Sequence, residues 1–332
     1  MIAMKLPRRR FLRLAASAAA LSAVARTAWA QTYPARPITI IVPLPAGGAV
    51  DSLARILGDA MRRSLGQSIL IENVSGASGS IGVGRVARAA PDGYTFGIGT
   101  GAQYVNNGAI YPLPYDLVQD FAPVALLPSV PFWMIGKKTL PASDLKELIA
   151  WLKANPDKAS AGTIGSGGDG HLCSIIFRAR TGTAFQFVPY RGGAPMVQDL
   201  AGGQIDFTCD LAANALTQLR SRNIKAYAVM AKTRWFAAPD VPTTDEAGVP
   251  GLYISAWHGL WAPKGTPDEL IAKVNAAAVN AMADPETRRR ITDLGMEIPP
   301  REQQTPAALG TFQRSEIEKR WPIIKAAGIK GE

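Results

Sequence analysis

A strand, a glycine turn and a helix form a unit that recurs along the chain, and this recurrence limits its fold more than any other feature. Residues 37–42 read as a strand, and Pro43-Leu44-Pro45-Ala46-Gly47-Gly48 as the turn after it. Val50, Leu53, Ala54, Leu57 and Met61 then follow i, i+3, i+4 spacing until Gly66 stops the helix. Residues 69–71 are the next strand, 81–89 a helix, Pro91-Asp92-Gly93 a turn and 94–98 a third strand. A second series begins after Pro131. Leu145, Leu148, Ile149 and Leu152 mark a helix, and 159–164 a strand. The Gly-rich loop 165–170 leads to a helix carrying Leu172, Ile175, Ile176 and Ala179. Residues 185–189 are a strand, 190–193 a loop, and 195–200 a helix closed by Gly202-Gly203. Segments 205–209, 211–219 and 224–230 complete this series, and helices are expected at 267–282, at 285–294 and after Thr305. Such alternation predicts βαβ units and an α/β fold with a mostly parallel sheet.

Residues 1–30 read as an address outside that fold. Lys5, Arg8, Arg9, Arg10 and Arg13 precede an apolar stretch at 14–25, and Ala28-Trp29-Ala30 has the small-x-small pattern of signal-peptidase sites. The mature start is expected at Gln31. The apolar stretch is well short of the roughly 20 residues that span a bilayer. Arg8-Arg9-Arg10-Phe11-Leu12-Arg13 resembles a twin-arginine signal, and an ordinary Arg-rich signal peptide fits equally. No Cys follows the cleavage site, so a lipid anchor is disfavoured and a protein free in the periplasm is expected.

The leader carries six Lys/Arg and no acid, which leaves the mature chain +4 of the total +10. Arg288-Arg289-Arg290 lies beside Glu286 and Asp293 in a helix-like segment and reads as a solvated face, so nucleic-acid binding is not expected. The 302 residues after the leader exceed one comfortable core, which favours two lobes. Cys173 and Cys209 can pair in an oxidising compartment or stay as buried thiols; their apolar neighbourhoods favour thiols.

Three strand-to-helix loops share one character: 43–48, 165–170 and 190–194 are rich in Gly or small residues, and each opens a helix. Helix N-termini present unpaired backbone N–H groups and partial positive charge, so they hold anions without Lys or Arg. Ligands of open α/β sheets lie at these carboxyl ends of the strands. A Gly in such a turn more often serves backbone geometry; three such loops point to a carboxylate clasped from two sides.

The chain resembles the tripartite tricarboxylate transporter receptors, the Bordetella uptake gene (Bug) family of periplasmic solute-binding proteins. The matching segments are Tyr33-Pro34-Ala35-Arg36-Pro37-Ile38, the Pro-x-Pro-Ala-Gly-Gly-x-x-Asp stretch ending at Asp51, and Pro91-Asp92-Gly93-Tyr94. Tyr115-Asp116 with Asp120-Phe121, the Gly-rich loop ending at His171-Leu172, and Val188-Pro189-Tyr190-Arg191-Gly192-Gly193-Ala194-Pro195 follow in order. Asp199-Leu200-Ala201-Gly202-Gly203-Gln204-Ile205-Asp206 and the stretch from Trp257 to Pro267 complete the set, which spans essentially the whole mature chain.

The resemblance implies a two-lobe, periplasmic-binding-protein type II-like fold, each lobe a mostly parallel sheet flanked by helices, with the ligand cleft between lobes. Lobe 1 would comprise 31–130 and 257–332, and lobe 2 residues 131–256, with crossings near 128–131 and 255–257. It implies that Leu44, Pro45, Ala46, Gly47 and Gly48, with Ser166, Gly167 and Gly168, hold one ligand carboxylate, partly through water. Gln103, Tyr104, Tyr190, Arg191 and Asp210 are then the candidates for the far end of the ligand. Residues 129–133 and 209–214 match no ligand-specific pattern, so the distal group stays open. A monomeric receptor is implied, serving membrane transporter subunits and needing no cofactor or metal, for a dicarboxylate, an aromatic carboxylate or an amino acid.

Each singled-out residue also has a plain role. Asp51 falls in a first helical turn, where a carboxylate suits the dipole, and that role is preferred. A structural hydrogen bond is the default for His171, and packing for His258. Tyr190 either touches ligand or covers the cleft. Arg191 is a solvated loop residue or the partner of a second carboxylate. Asp210 accepts from a ligand amine or hydroxyl, or caps the next helix.

An enzyme is the rival class. Gly97-Ile98-Gly99-Thr100-Gly101-Ala102 satisfies a loose dinucleotide fingerprint, but the fingerprint must open a helix, and 103–108 does not read as one. No Gly-x-Ser-x-Gly elbow occurs, and two His and two Cys without ligand spacing do not support zinc. A dehydrogenase or hydrolase is therefore disfavoured. A sensor role, in which the loaded receptor meets a signalling membrane protein, is not separable from uptake by sequence.

Overall fold

The structure is a computed structural model that describes residues 33–156, 158–164, 168–190 and 192–330. The expected leader lies outside the described residues. The chain divides into Met1–Ala35 and Arg36–Glu332, and the second unit carries every element below.

Its first part alternates β1 (Ile38–Val42), α1 (Ala49–Leu65), β2 (Ile69–Asn73), α2 (Ser80–Ala87) and β3 (Thr95–Thr100), then a π-helical turn over Ala102–Asn106 that runs into α3 (Asn107–Ile110). The long strand β4 (Phe121–Lys137) crosses to the second part. There α4 (Leu145–Ala154), β5 (Ser160–Ile164), α5 (Asp169–Thr181), β6 (Gln186–Tyr190), α6 (Gly193–Ala201), β7 (Phe207–Leu211), α7 (Leu216–Arg220) and β8 (Ile224–Val229) follow. β9 (Ser255–Pro263) returns to the first part, and α8 (Asp268–Ala283), α9 (Pro285–Asp293) and α10 (Pro306–Ala326) close the chain.

The strands join in the order β2-β1-β3-β9-β4-β7-β5-β6, with β8 also on β4. β1 pairs in parallel with β2 and β3, and β5 in parallel with β6 and β7, as the alternation predicts. The crossing strands β4 and β9 run antiparallel to each other and to their neighbours, which makes the sheet mixed. The family resemblance implied only a crossing near 128–131, where β4 runs for 17 residues and carries Pro123, Pro128 and Pro131, residues that cannot donate to a ladder. The ladder with β9 slips at Val124 and at Pro128, so the local loss of N–H donors falls at or beside irregular positions.

Two cores flank the crossing. One gathers Ile41, Val83, Tyr104, Trp257, Trp261 and Leu309; the other gathers Phe132, Met134, Leu148, Phe177, Phe207 and Tyr227. Each such side chain contributes about 1.5–3 kcal/mol by leaving water. α1 buries Val50, Leu53, Ile56, Leu57 and Met61, and ends where Gly66 turns left-handed at φ 71° to bond Arg62 O. Its start is open: Gly48 is the N-cap and has no side chain to cap the first N–H groups.

The glycines of the loose fingerprint serve packing. A Cβ on Gly99 would sit 2.8 Å from the Tyr104 ring and one on Gly101 would sit 2.9 Å from the Trp257 indole. A helical segment does follow, contrary to the expectation for 103–108, but these glycines admit aromatic rings. Gly82 does the same for backbone. A Cβ there would lie 2.5 Å from Val74 O and 2.9 Å from Pro43 Cα, at the root of the β1–α1 loop. Gly82→Ala should therefore cost about 1–3 kcal/mol despite the better helix propensity of Ala. Denaturant titration checks this, and a neutral or stabilised variant would show that α2 can withdraw freely.

Candidate functional site

A cavity of about 270 Å³ lies where the two parts meet. The first part supplies Leu44, Pro45 and Gly48 of the β1–α1 loop, the first turn of α1, and Thr100 at the end of β3. The crossing strands supply Val130, Phe132, Ala256 and His258. From the second part come Ile164, the α5 start at Gly168, Asp169 and Gly170, and the β7 end at Cys209, Asp210 and Leu211.

Local chemistry sets the β1–α1 loop. Asp51 Oδ2 accepts from Gly47 N at 2.9 Å and Arg55 Nε at 3.0 Å, and Oδ1 from Asn73 Nδ2 at 3.1 Å. The same Asn73 amide donates to Leu44 O at 3.0 Å. The Arg55 hydrogen bond, chiefly, holds the Asp51 carboxyl below its usual range despite burial. Asp51 thus braces the loop from beneath, with both oxygens engaged.

α5 opens like α1, with a glycine N-cap and no side-chain cap. Gly170 lets it approach β7, since a Cβ there would lie 2.9 Å from Cys209 O. Asp169 in its first turn is buried and accepts at Oδ1 from Arg320 Nη1 at 2.7 Å and from Asn106 Nδ2 at 3.0 Å. Arg320, on α10, also meets Glu316 at 2.7 Å. Two partners from the first part therefore tie down the helix start supplied by the second.

Asp210 is 1% exposed. Its Oδ1 accepts from Asn214 Nδ2 at 3.0 Å, and its Oδ2 is buried without a hydrogen-bond partner. Burial pushes its pKa up to about 7, against the lowering pull of Asn214 and of the Leu211 backbone N–H. His258 is 2% exposed, and burial pushes its pKa down to about 4. The imidazole is neutral, and because Pro128 O can only accept, His258 Nδ1 carries the proton and donates to it. That carbonyl belongs to the ladder slip in β4.

Of the sequence candidates, Leu44, Pro45, Gly48, Gly168 and Asp210 line the cavity. Ser166, Gly167 and Arg191 lie outside the described residues. The remaining candidates lie off the cavity wall. Ala46 and Gly47 sit on the same loop but are exposed and off the cavity wall, and the Gly47 amide is spent on Asp51. Gln103 is turned inward, its Oε1 accepting from Thr100 N and Oγ1. Tyr104 is fully buried and stacked on Trp261 at 3.6 Å between centroids, so it is core. Tyr190 gives its hydroxyl to Asp199 at 2.7 Å and is off the wall.

Sequence reasoning missed Thr100, Asp169 and the crossing residues Val130, Phe132, Ala256 and His258. Asp169 had a readable signal, an acid in the first turn after the Gly-rich loop, matching Asp51 in the first part. Cys173 and Cys209 are buried free thiols, with Cys173 Sγ 3.1 Å from Met230 Sδ. Among the described residues no cluster of three or more His, Cys, Asp or Glu is placed to hold a metal, and no helix is long and apolar enough to cross a membrane.

The arrangement suits holding an anion between two uncapped helix starts. The profile of the tripartite tricarboxylate transporter family receptors matches residues 53–329. BugT of Bordetella pertussis is 32% identical over 313 residues, covering 94% of this chain and 95% of BugT. MatC from Rhodopseudomonas palustris, solved with bound malate, is 37% identical with a TM-score of 0.76, covering 88% of this chain and 100% of MatC. An R. palustris protein solved with adipate is 33% identical with a TM-score of 0.78, covering 90% of this chain and 99% of its own. The chain belongs to the tripartite tricarboxylate transporter receptor family, the Bug-type periplasmic solute-binding receptors, which are not enzymes.

Proposed function

We propose that this receptor closes two lobes, residues 31–130 with 257–332 and residues 131–256, around a small carboxylate. It is exported by the leader 1–30, works as a monomer free in the periplasm, and hands its ligand to the membrane subunits of a tripartite tricarboxylate-type transporter. One observation carries the reading: the uncapped starts of α1 and α5 border a single cavity from its two sides. Unpaired N–H groups and the dipoles of both helices favour an anion there. Malate and adipate in the related structures are carboxylates of fitting size. A ligand that bridges both lobes stabilises the closed form by its differential contacts.

A thermal-shift screen of the exported protein against small carboxylates tests this. A ligand at a hundredfold excess over Kd should add about 2.7 kcal/mol of stability. Gly48→Val sharpens the test. A Cβ at Gly48 meets only Pro45 O at 3.7 Å, and φ −79° suits Val, so the fold should accept it. The branched side chain would cover the α1 start and remove the ligand-induced shift. A screen without hits, retained binding in Gly48→Val, or chemical turnover of a hit would overturn the proposal.

A further inference from the structure

The cavity wall has an imbalance that a second ligand carboxylate would not answer. Among the described residues that line it there is no Lys or Arg. The charged side chains are acids, and two of them are already engaged: Asp51 by Gly47, Arg55 and Asn73, and Asp169 by Arg320 and Asn106. Asp210 Oδ2 is the one carboxylate oxygen, among the described buried atoms, that lacks a partner. A buried acceptor left unsatisfied costs about 1–3 kcal/mol, and a ligand donor would recover it. The remaining wall is apolar, through Val50, Val130, Phe132, Ile164, Leu211 and Ala256. A cavity of roughly 150 Å³ suffices for benzene, so about 270 Å³ holds a ring or branched chain together with a carboxylate.

We propose that the ligand is a monocarboxylate with an apolar body and one hydrogen-bond donor, a hydroxyl or an ammonium, which Asp210 Oδ2 accepts. This rests on the carboxylate reading above and narrows it.

Calorimetric titration of the exported protein with matched probes decides the matter: 4-hydroxybenzoate against benzoate, leucine against 4-methylpentanoate, and malate and adipate as dicarboxylates. In at least one matched pair the donor-bearing probe should bind roughly ten- to a hundredfold more tightly, the worth of a hydrogen bond to a charged group. The pair that responds tells hydroxyl from ammonium. D210N keeps the side chain's shape and can still accept from Asn214, and in it the preference should shrink below about threefold. A dicarboxylate that outbinds both 4-hydroxybenzoate and leucine would overturn the proposal, as would a preference that survives in D210N. If monocarboxylates and dicarboxylates bind alike, this inference fails and the receptor reading stands. If no carboxylate binds, both fail.

Discussion

Arg320→Met is expected to lower the melting temperature by on the order of 10 °C. Arg320 is 7% exposed and holds Asp169 and Glu316, each at 2.7 Å. Burial pulls its pKa down, but the two carboxylates more than reverse this and keep it above the ordinary Arg value. Met fills similar volume and removes the charge together with the donors to Asp169, Glu316 and Asn106. Asp169 is then left buried without its cation, while the half-buried Glu316 keeps only Lys319 at 3.4 Å, a loss of about 3–5 kcal/mol in all. Each kcal/mol moves the midpoint by about 2–4 °C in large domains. Arg289→Met is the control: Arg289 and Asp293 form an i,i+4 pair 3.2 Å apart with exposed side chains. Such pairs contribute under about 1 kcal/mol, so this variant should stay within 2–3 °C of the parent. Adding Asp169→Asn to Arg320→Met should restore part of the loss, since it removes one of the stranded charges. Equal midpoints for Arg320→Met and Arg289→Met would mean that the buried trio does not hold α10 to α5.

The loops that border the cavity were legible because their chemistry is local. A glycine before a helix with apolar period announces an uncapped start, and both Gly48 and Gly168 sit at one. Asp51 was readable for the same reason, as a carboxylate in a first turn. The parts that escaped depend on residues far apart in sequence. Asp169 meets Arg320 across 151 positions, and His258 meets Pro128 across 130. Nothing near His258 says that a ladder slip will offer it a carbonyl. Tyr104 sits in the core for a related reason: Gly97 and Gly99 leave room for its ring against Trp261. β4 escaped because proline content argues against a strand unless the slips that accommodate it are known, and slips are a property of the pairing with β9.

Asp210 and His258 should tilt stability with pH in opposite senses, so that replacing either one exposes the other. The Asp210 carboxyl rises from an ordinary 3.8 to about 7 on folding. Its contribution is fully present below pH 3.8 and is lost as pH rises through 7, a change of about 4 kcal/mol at 1.36 kcal/mol per pKa unit. His258 falls from 6.5 to about 4. A buried neutral imidazole of this kind contributes fully above pH 6.5 and loses about 3 kcal/mol as pH falls through 4. Between pH 4 and 6.5 the two slopes nearly cancel in the parent. Measured against the parent, Asp210→Asn should therefore gain about 4 kcal/mol in relative stability between pH 4 and pH 7.5. His258→Gln should lose about 3 kcal/mol over the same interval. Urea titrations at pH 4, 5.5 and 7.5 read these differences, and titrating groups common to both proteins drop out of them. A saturating ligand that donates to Asp210 would favour the ionised carboxylate, pull its pKa down and flatten its share of the slope. If Asp210→Asn runs parallel to the parent at all three pH values, the carboxyl is solvated in the folded protein, and its place on the cavity wall loses its energetic meaning.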